Sequence, residues 1–352
     1  MEIKKVKFAL FADLHYHERH QAASVENINE IMAYANKSGV DFVMQLGDFS
    51  SNWKGSPEAI KAYIENPYGL AAYGIYGNHD LQSAKNSMET VTPLLNNREV
   101  VWGTEDTKIN ARGDVAYYWF DVNGIRMVCL DTNYSYDPEN DVWEHNQPNS
   151  YALKKGNIKE HSLGKAQIQW LRGVLNDAAE KEIQCIVYSH ASFMDLPYGT
   201  SPDKDEVRQM FNEVNAKRKG TVLAVFNGHR HATNAGVFDG IFFYDMNVAL
   251  MGAWSGPEMP HYTDEQTFDF TEHDDDGNVT GRYEKKLNEL WRGNYSWYFS
   301  TPLYTVVTVS TDGRITVEPM ETEWLYGVEP PFSHAGIQTR VVGGEFDLGL
   351  SQ

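Results

Sequence analysis

Phe8-Ala9-Leu10-Phe11-Ala12-Asp13-Leu14-His15 decides how this chain is read. Five apolar residues in succession stop at an aspartate, and a histidine follows two residues later. A short apolar run without polar alternation reads as a strand buried on both faces. Four more runs end in a similar way. Residues 42–46 stop at Gly47-Asp48, 71–76 at Gly77-Asn78-His79-Asp80, 183–188 at Ser189-His190, and 222–226 at Asn227-Gly228-His229.

Helical patterns lie between these runs. Val25, Ile28, Ile31, Met32 and Ala35 share one helical face, as do Ile168, Leu171, Val174, Leu175 and Ala178, and again Val207, Met210, Phe211 and Val214. Ser56-Pro57 and Ser201-Pro202 read as helix starts, with an N-cap serine and proline at the first helical position. Strands alternating with helices give an α/β protein. In such sheets, ligands bind beyond the carboxyl ends of the strands. Asn123-Gly124, between runs 115–122 and 125–131, signals a two-residue hairpin. Asp312-Gly313, between 304–310 and 314–318, is expected to do the same. The fold expected is therefore a mixed sheet or a two-sheet sandwich covered by helices.

The 352 residues, 41% of them apolar, form one large domain with insertions, or two. The division expected is a core over 1–253, in which 132–164 is an insertion serving as an active-site loop, and an extension over 254–352. That extension carries a polar loop over 255–294 and a hairpin that completes the sheet; the stretch after Glu321 has no clear period. A net charge of −19 argues against a nucleic-acid face or an anionic membrane surface, both of which need clustered Lys and Arg. A small anionic substrate stays compatible if metal ions supply local positive charge. Cys129 and Cys185 each sit in an apolar run and read as buried free thiols. Lys4, Lys5 and Lys7 precede an apolar run too short for a signal peptide, and no run nears the ~18 residues of a membrane span. The chain reads as cytoplasmic, or as exported if a leader has been removed.

The strand ends collect Asp13, His15, Asp48, Asn78, His79, Asp80, His190, His229 and His231. Imidazole together with carboxylate suits Zn, Mn, Fe or Ni, whereas Ca or Mg would draw oxygens alone. A structural zinc site would use cysteine, and none stands here. The donors are too many for one tetrahedral ion. Two divalent ions about 3.5–4 Å apart can polarise a phosphoryl oxygen and activate a water, as phosphoester hydrolysis requires.

Asp13-Leu14-His15, Gly47-Asp48, Gly77-Asn78-His79-Asp80, His190 and Gly228-His229-Arg230-His231 together resemble the five ordered motifs of calcineurin-like metallophosphoesterases, over roughly residues 6–250. The resemblance implies the α/β sandwich of that superfamily, with helices on its outer faces. It implies Asp13, His15 and His231 on one ion and Asn78, His190 and His229 on the other, with Asp48 and a hydroxide bridging them. It also implies that His79 protonates the leaving oxygen or stabilises the transition state, with Asp80 orienting His79. The ions implied are Mn, Zn or Fe. Two departures narrow the family. Purple acid phosphatases carry tyrosine where this chain has Ser51, and protein Ser/Thr phosphatases carry Arg and Glu where it has Tyr76 and Asp80.

Other features read more plainly. His20, His261, His273 and His334 read as ordinary core or surface histidines, and His17 as solvated, with a place facing the substrate as its alternative. Asp274-Asp275-Asp276-Gly277 starts like a calcium loop, but its twelfth position is Tyr283, so it reads as a polar turn. The aromatic cluster 291–298 reads as the start of a strand, with base or sugar stacking as its functional alternative. Arg230, between two ligand candidates, is the candidate phosphate clamp ahead of Arg292. The activity expected is hydrolysis of a small phosphodiester or nucleotide. The alternatives are a phosphomonoesterase, a nuclease and a non-catalytic scaffold.

Overall fold

The run that opens the chain becomes the centre of one of two stacked sheets. The computed structural model describes residues 2–15, 21–50, 57–80, 99–103, 116–137, 142–145, 159–196, 199–249, 251–254, 267–273, 279–286, 296–328 and 339–350. In chain order the first elements are β1 (Lys5–Phe11), α1 (Gln21–Ser38), β2 (Phe42–Gln45), α2 (Pro57–Ile64) and β3 (Ala71–Gly74). Next come β4 (Val101–Trp102), β5 (Tyr118–Val122), β6 (Ile125–Cys129), β7 (Tyr134–Asp137), β8 (Val142–His145) and β9 (Lys159–Ser162). They are followed by α3 (Lys165–Glu180), β10 (Gln184–Ser189), α4 (Lys204–Lys217), β11 (Val222–Asn227), β12 (Asn234–Phe238) and β13 (Ile241–Asp245). The last are β14 (Met251–Trp254), β15 (Thr267–His273), β16 (Val279–Lys286), β17 (Ser296–Tyr298), β18 (Thr305–Ser310), β19 (Arg314–Val317) and β20 (Gly344–Asp347).

One sheet runs β20-β19-β18-β1-β2-β3 and the other β12-β13-β11-β10-β6-β5-β4. β1, β2 and β3 are parallel, as are β6, β10, β11 and β13, while the flanking strands are antiparallel. This is a mixed α/β sandwich of two sheets, as expected.

Side-chain alternation builds the layers. Phe8 faces the second sheet, meeting Phe226 at 5.4 Å and Tyr188 at 5.7 Å edge-on, and it stacks on Phe42 at 5.2 Å. Phe11 faces the other way, onto Tyr63 of α2. The face of α1 read from sequence is buried through Ile28, Ile31, Met32 and Ala35. On the far side of the second sheet, Val128, Val187 and Val225 share a core with Leu171 and Leu175 of α3 and Met210 and Phe211 of α4. The central parallel strands are thus covered on both faces, which is why their sequences show no polar alternation. Cys129 and Cys185 are buried and free. Burial raises both thiols, Cys185 to about 12, so neither is poised as a nucleophile.

Four expectations are corrected in detail. Asn123 and Gly124 do make a two-residue turn, both left-handed at φ 51° and 74°. The second hairpin has a three-residue loop instead, because Thr311 joins Asp312 and Gly313 between β18 and β19. Gly313 takes φ 89° there and donates its N–H to Ser310. Helix α4 starts at Lys204 and not at Pro202, since the Ser201 hydroxyl accepts from the Asp203 N–H in a turn just before it. The polar segment 132–164 carries a three-stranded sheet, β8-β7-β9, and 255–294 carries the β15–β16 hairpin. Their sequences alternate polar and apolar residues, as in Thr267-Phe268-Asp269-Phe270, a strand pattern hidden by overall polarity. Residues 296–298 do form a strand, β17, paired with β14, while Arg292 and Asp274-Asp275-Asp276-Gly277 lie outside the described residues. The stretch after Glu321, without period in sequence, supplies β20 at the edge of the first sheet. Among the described residues, no helix is long and apolar enough to cross a membrane.

Candidate metal centre

The turns that follow β1, β2, β3, β10 and β11 meet at one end of the sandwich. Backbone bonds lash them together. Asp13 N–H donates to Gly47 O at 3.0 Å, His15 N–H to Asp48 O at 2.9 Å, and Gly228 N–H to His190 O at 3.1 Å. A further bond crosses from one sheet to the other, from His229 N–H to the Asp13 carboxylate at 2.9 Å. Asp13, His15, Asp48, His229 and His231 all have left-handed backbones, with φ between 48° and 69°. Such a conformation costs a non-glycine residue roughly 1–2 kcal/mol, so it persists where surrounding bonds enforce it.

Gly77 makes the closest approach possible. A Cβ there would collide with the Asp48 carboxylate and backbone, and at Gly47 (φ 93°) it would run into His190 Nδ1. The glycines of these motifs are therefore the space into which neighbouring site residues fit.

Nearly every polar group read from the strand ends converges. His15 Nε2 lies 2.8 Å from His231 Nε2, and the Asp13 Oδ1 atom is 3.4 Å from His231 Nε2 and 3.8 Å from His15 Nε2. Asp48 Oδ2 lies 3.2 Å from His190 Nε2 and 3.8 Å from His15 Nε2. Asn78 Oδ1 is 3.2 Å from the same His190 nitrogen. Three overlapping donor groups result: Asp13, His15 and His231; His15, Asp48 and His79; and Asp48, His190 and His229, each with its donor atoms within 4.8 Å of one another. Donors held at about 2.0–2.2 Å from a tetrahedral ion are separated by about 3.4 Å. The observed spacings bracket that value, so the residues fit divalent ions.

The tautomer of His190 is fixed by geometry. Its Nδ1 lies 2.7 Å from Leu46 O, which can only accept, so Nδ1 carries the proton. In the neutral ring, the Nε2 lone pair then lies on the side of the Asn78 and Asp48 oxygens, where it can face a cation held among them, the usual arrangement of a ligand imidazole.

Burial dominates the electrostatics. It holds His15 well below the ordinary imidazole range, helped by His231 and His79, and does the same to His229, helped by His161 and His190. It also lowers His79, against an opposing pull from Asp48. For Asp48, burial alone would raise the carboxyl, but His190 and His79 outweigh it and keep the group ionised. His190 is the converse case. Burial lowers it, yet the Asp48 charge lifts it to about 9, so cation uptake must displace a proton there. Burial and the Asp48 charge push Asp80 up to about 7.

Asp80 and Arg230 each have carboxylate bonds in the structure. Both Asp80 oxygens accept backbone bonds, Oδ1 from Ser50 N–H and Oδ2 from Gly77 N–H, each at 2.8 Å. That carboxyl ties the turn after β2 to the turn after β3, and the His79 backbone N–H donates to Asp48 Oδ1 at 2.7 Å. Arg230 is buried, and its Nη1 lies 3.3 Å from Asp245 Oδ2, at the end of β13. Asn234 donates to the same oxygen at 3.2 Å. His17 lies outside the described residues.

One site residue escaped the sequence reading. His161, in β9, sets its ring 4.4 Å from that of His229. It follows no apolar run, and its only local mark is a left-handed backbone, φ 62°, which sequence does not reveal.

These observations define a class. The sequence model for the calcineurin-like phosphoesterases matches residues 6–233, and the chain belongs to that family. It is a phosphoester hydrolase, of a family that uses two metal ions on small phosphorylated substrates. Among solved structures it is similar to a dimetal phosphatase from Danio rerio, with a TM-score of 0.53 at 16% identity over 89% of this chain and 95% of that one. It also aligns with PhoD, with a TM-score of 0.48 at 11% identity over 99% of this chain and 69% of that one. No curated protein sequence matches the chain.

Gly77→Ala tests the packing at Asp48. The substitution is expected to lower bound metal by at least about tenfold, as displaced supporting groups do, while the circular dichroism spectrum stays native. Full metal content in a folded G77A protein would contradict this account of the turn.

Proposed function

We propose that the chain hydrolyses a small phosphodiester, of nucleotide type, at two divalent ions that share Asp48. The observation that carries this reading is the Asp48 carboxylate lying between His15 of one donor group and His190 of the other. On this reading Asp13, His15 and His231 hold one ion, and Asn78, His190 and His229 the other. Bound there, two ions supply a water of lowered pKa and positive charge facing the phosphoryl oxygens. Mn, Zn and Fe all suit this mixture of imidazole, carboxylate and amide oxygen.

The chain's own groups do the rest. Asp13, Asp48 and His190 are almost wholly buried, whereas His79, His229 and His231 retain some exposure and so line the approach. Their rings exclude bulk water from one side of the substrate. His79 stands edge-on to His15, 4.8 Å between centroids, which fixes its plane. Burial keeps it neutral at rest, and an arriving phosphate anion raises its affinity for a proton. It then protonates the leaving oxygen. Asp80 holds the two turns in register through backbone bonds.

Charge supports a diester over a monoester. Arg230, the guanidinium carried between two of the site histidines, has its charge engaged by Asp245. A singly charged diester asks less of the remaining positive charge than a doubly charged monoester does.

Metal-free protein reconstituted with Mn or Zn is expected to hydrolyse bis-p-nitrophenyl phosphate faster than p-nitrophenyl phosphate, measured side by side. Preference for the monoester would overturn the diester reading, and no metal-dependent turnover of either would overturn the whole of it. His79→Ala is expected to retain both ions and lose roughly 10²–10⁴-fold in rate. The loss should shrink as the leaving group improves, so an equal loss across a series of aryl esters rules out proton donation by His79.

A further inference from the structure

His229 differs from its neighbours in how it is held. His190 is locked by the bond from Nδ1 to Leu46 O, and the His15 ring lies between His79 and His231 with Nε2 against His231. Among the described residues, the His229 ring makes no hydrogen bond; only its backbone N–H does, to Asp13. Ligand imidazoles are ordinarily oriented by a bond to the second ring nitrogen. Here rings and backbone take over that task. His190 lies on the His229 ring at 4.9 Å between centroids and His161 at 4.4 Å, while the Gly199 backbone passes close to Cδ2, where an added Cβ would stand 3.1 Å away.

His161 is held in place by its surroundings. Its backbone is left-handed, a feature it shares with the five strand-end residues. Just beyond it, Leu163 N–H donates to Asp203 Oδ2 at 2.7 Å, and Gln167 Nε2 donates to Leu163 O at 2.8 Å and to Asp131 O at 2.7 Å. Strand β9 is also paired with β7 through Ser162 and Tyr134. A strained backbone fixed by bonds on both sides is the mark of a side chain delivered to a defined place.

We propose that His161 is a positioning residue for His229, its ring forming the wall that sets the His229 imidazole toward the second ion. This inference rests on the two-ion reading above. It gives segment 132–164 a part in the centre itself: movement of β9 alters the seat of one ion and leaves the other alone.

The test titrates metal-free protein with Co²⁺, followed by calorimetry and by visible absorption. The wild type is expected to bind two ions. His161→Ala should weaken one of them by about 10–100-fold, the usual cost of losing a group that orients a ligand, with the other unchanged and the absorption band of the weakened site altered. His161→Phe, which keeps a flat ring against His229, should recover most of the loss. Thermal melting of the metal-free variants should match that of the wild type. Unchanged binding of both ions by H161A overturns the proposal. So does equal weakening of both, or a Phe variant no better than the Ala variant. A wild type that binds fewer than two ions overturns the two-ion reading on which this one stands.

Discussion

The Asp48 carboxylate is the interaction on which the rest of the site depends. It stands at the seam between the two sheets, facing His15 from one and His190 from the other. A buried carboxylate is costly unless opposite charge and hydrogen bonds offset it. Here the offset comes from the imidazoles, from the His79 backbone N–H and, on the proposed reading, from two cations. The bond from His229 N–H to Asp13 reinforces the seam. On the proposed reading each ion draws ligands from both sheets, so the centre exists only when the sheets are docked.

The same dependence explains why histidines of one chemical type sit in different states. Burial favours the neutral imidazole, and for His15 and His229 it prevails. His190 touches Asp48 and is lifted to about 9. On the proposed reading a cation takes the place of that proton, so the affinity of that position falls as pH drops below this value, and uptake releases protons. The left-handed turns work against folding, at roughly 1–2 kcal/mol each. They are held by the cross-turn bonds of Gly47, Asp48 and Asp80.

Much of this was legible in the sequence because two physical signals coincided. Strands such as β1 and β11 are covered on both faces, so their apolar runs are unbroken and their ends are sharp. The polar residues just past those ends are then exceptional, and Asp13, Asp48, His190 and His229 stand out. The signal fails where a strand sequence alternates polar and apolar residues. β7 to β9 and the β15–β16 hairpin are polar enough to pass for loops, and His161 was missed with them. Partnerships across sequence were also hidden. Nothing near Arg230 announces Asp245, which reaches it from the end of β13. The backbone donors of Asp80, Ser50 and Gly77, come from the close packing of two turns and are likewise invisible in the sequence.

The sharing of Asp48 between two ions is tested most directly by metal stoichiometry. Metal-free wild type and Asp48→Asn are each loaded with Mn²⁺, dialysed, and examined for metal content and by electron paramagnetic resonance. The account predicts two equivalents with an exchange-coupled spectrum in the wild type, and loss of both ions in the variant, because the shared carboxylate carries the charge that holds them together. Two full equivalents retained by the variant, or a wild type with uncoupled ions, would contradict it.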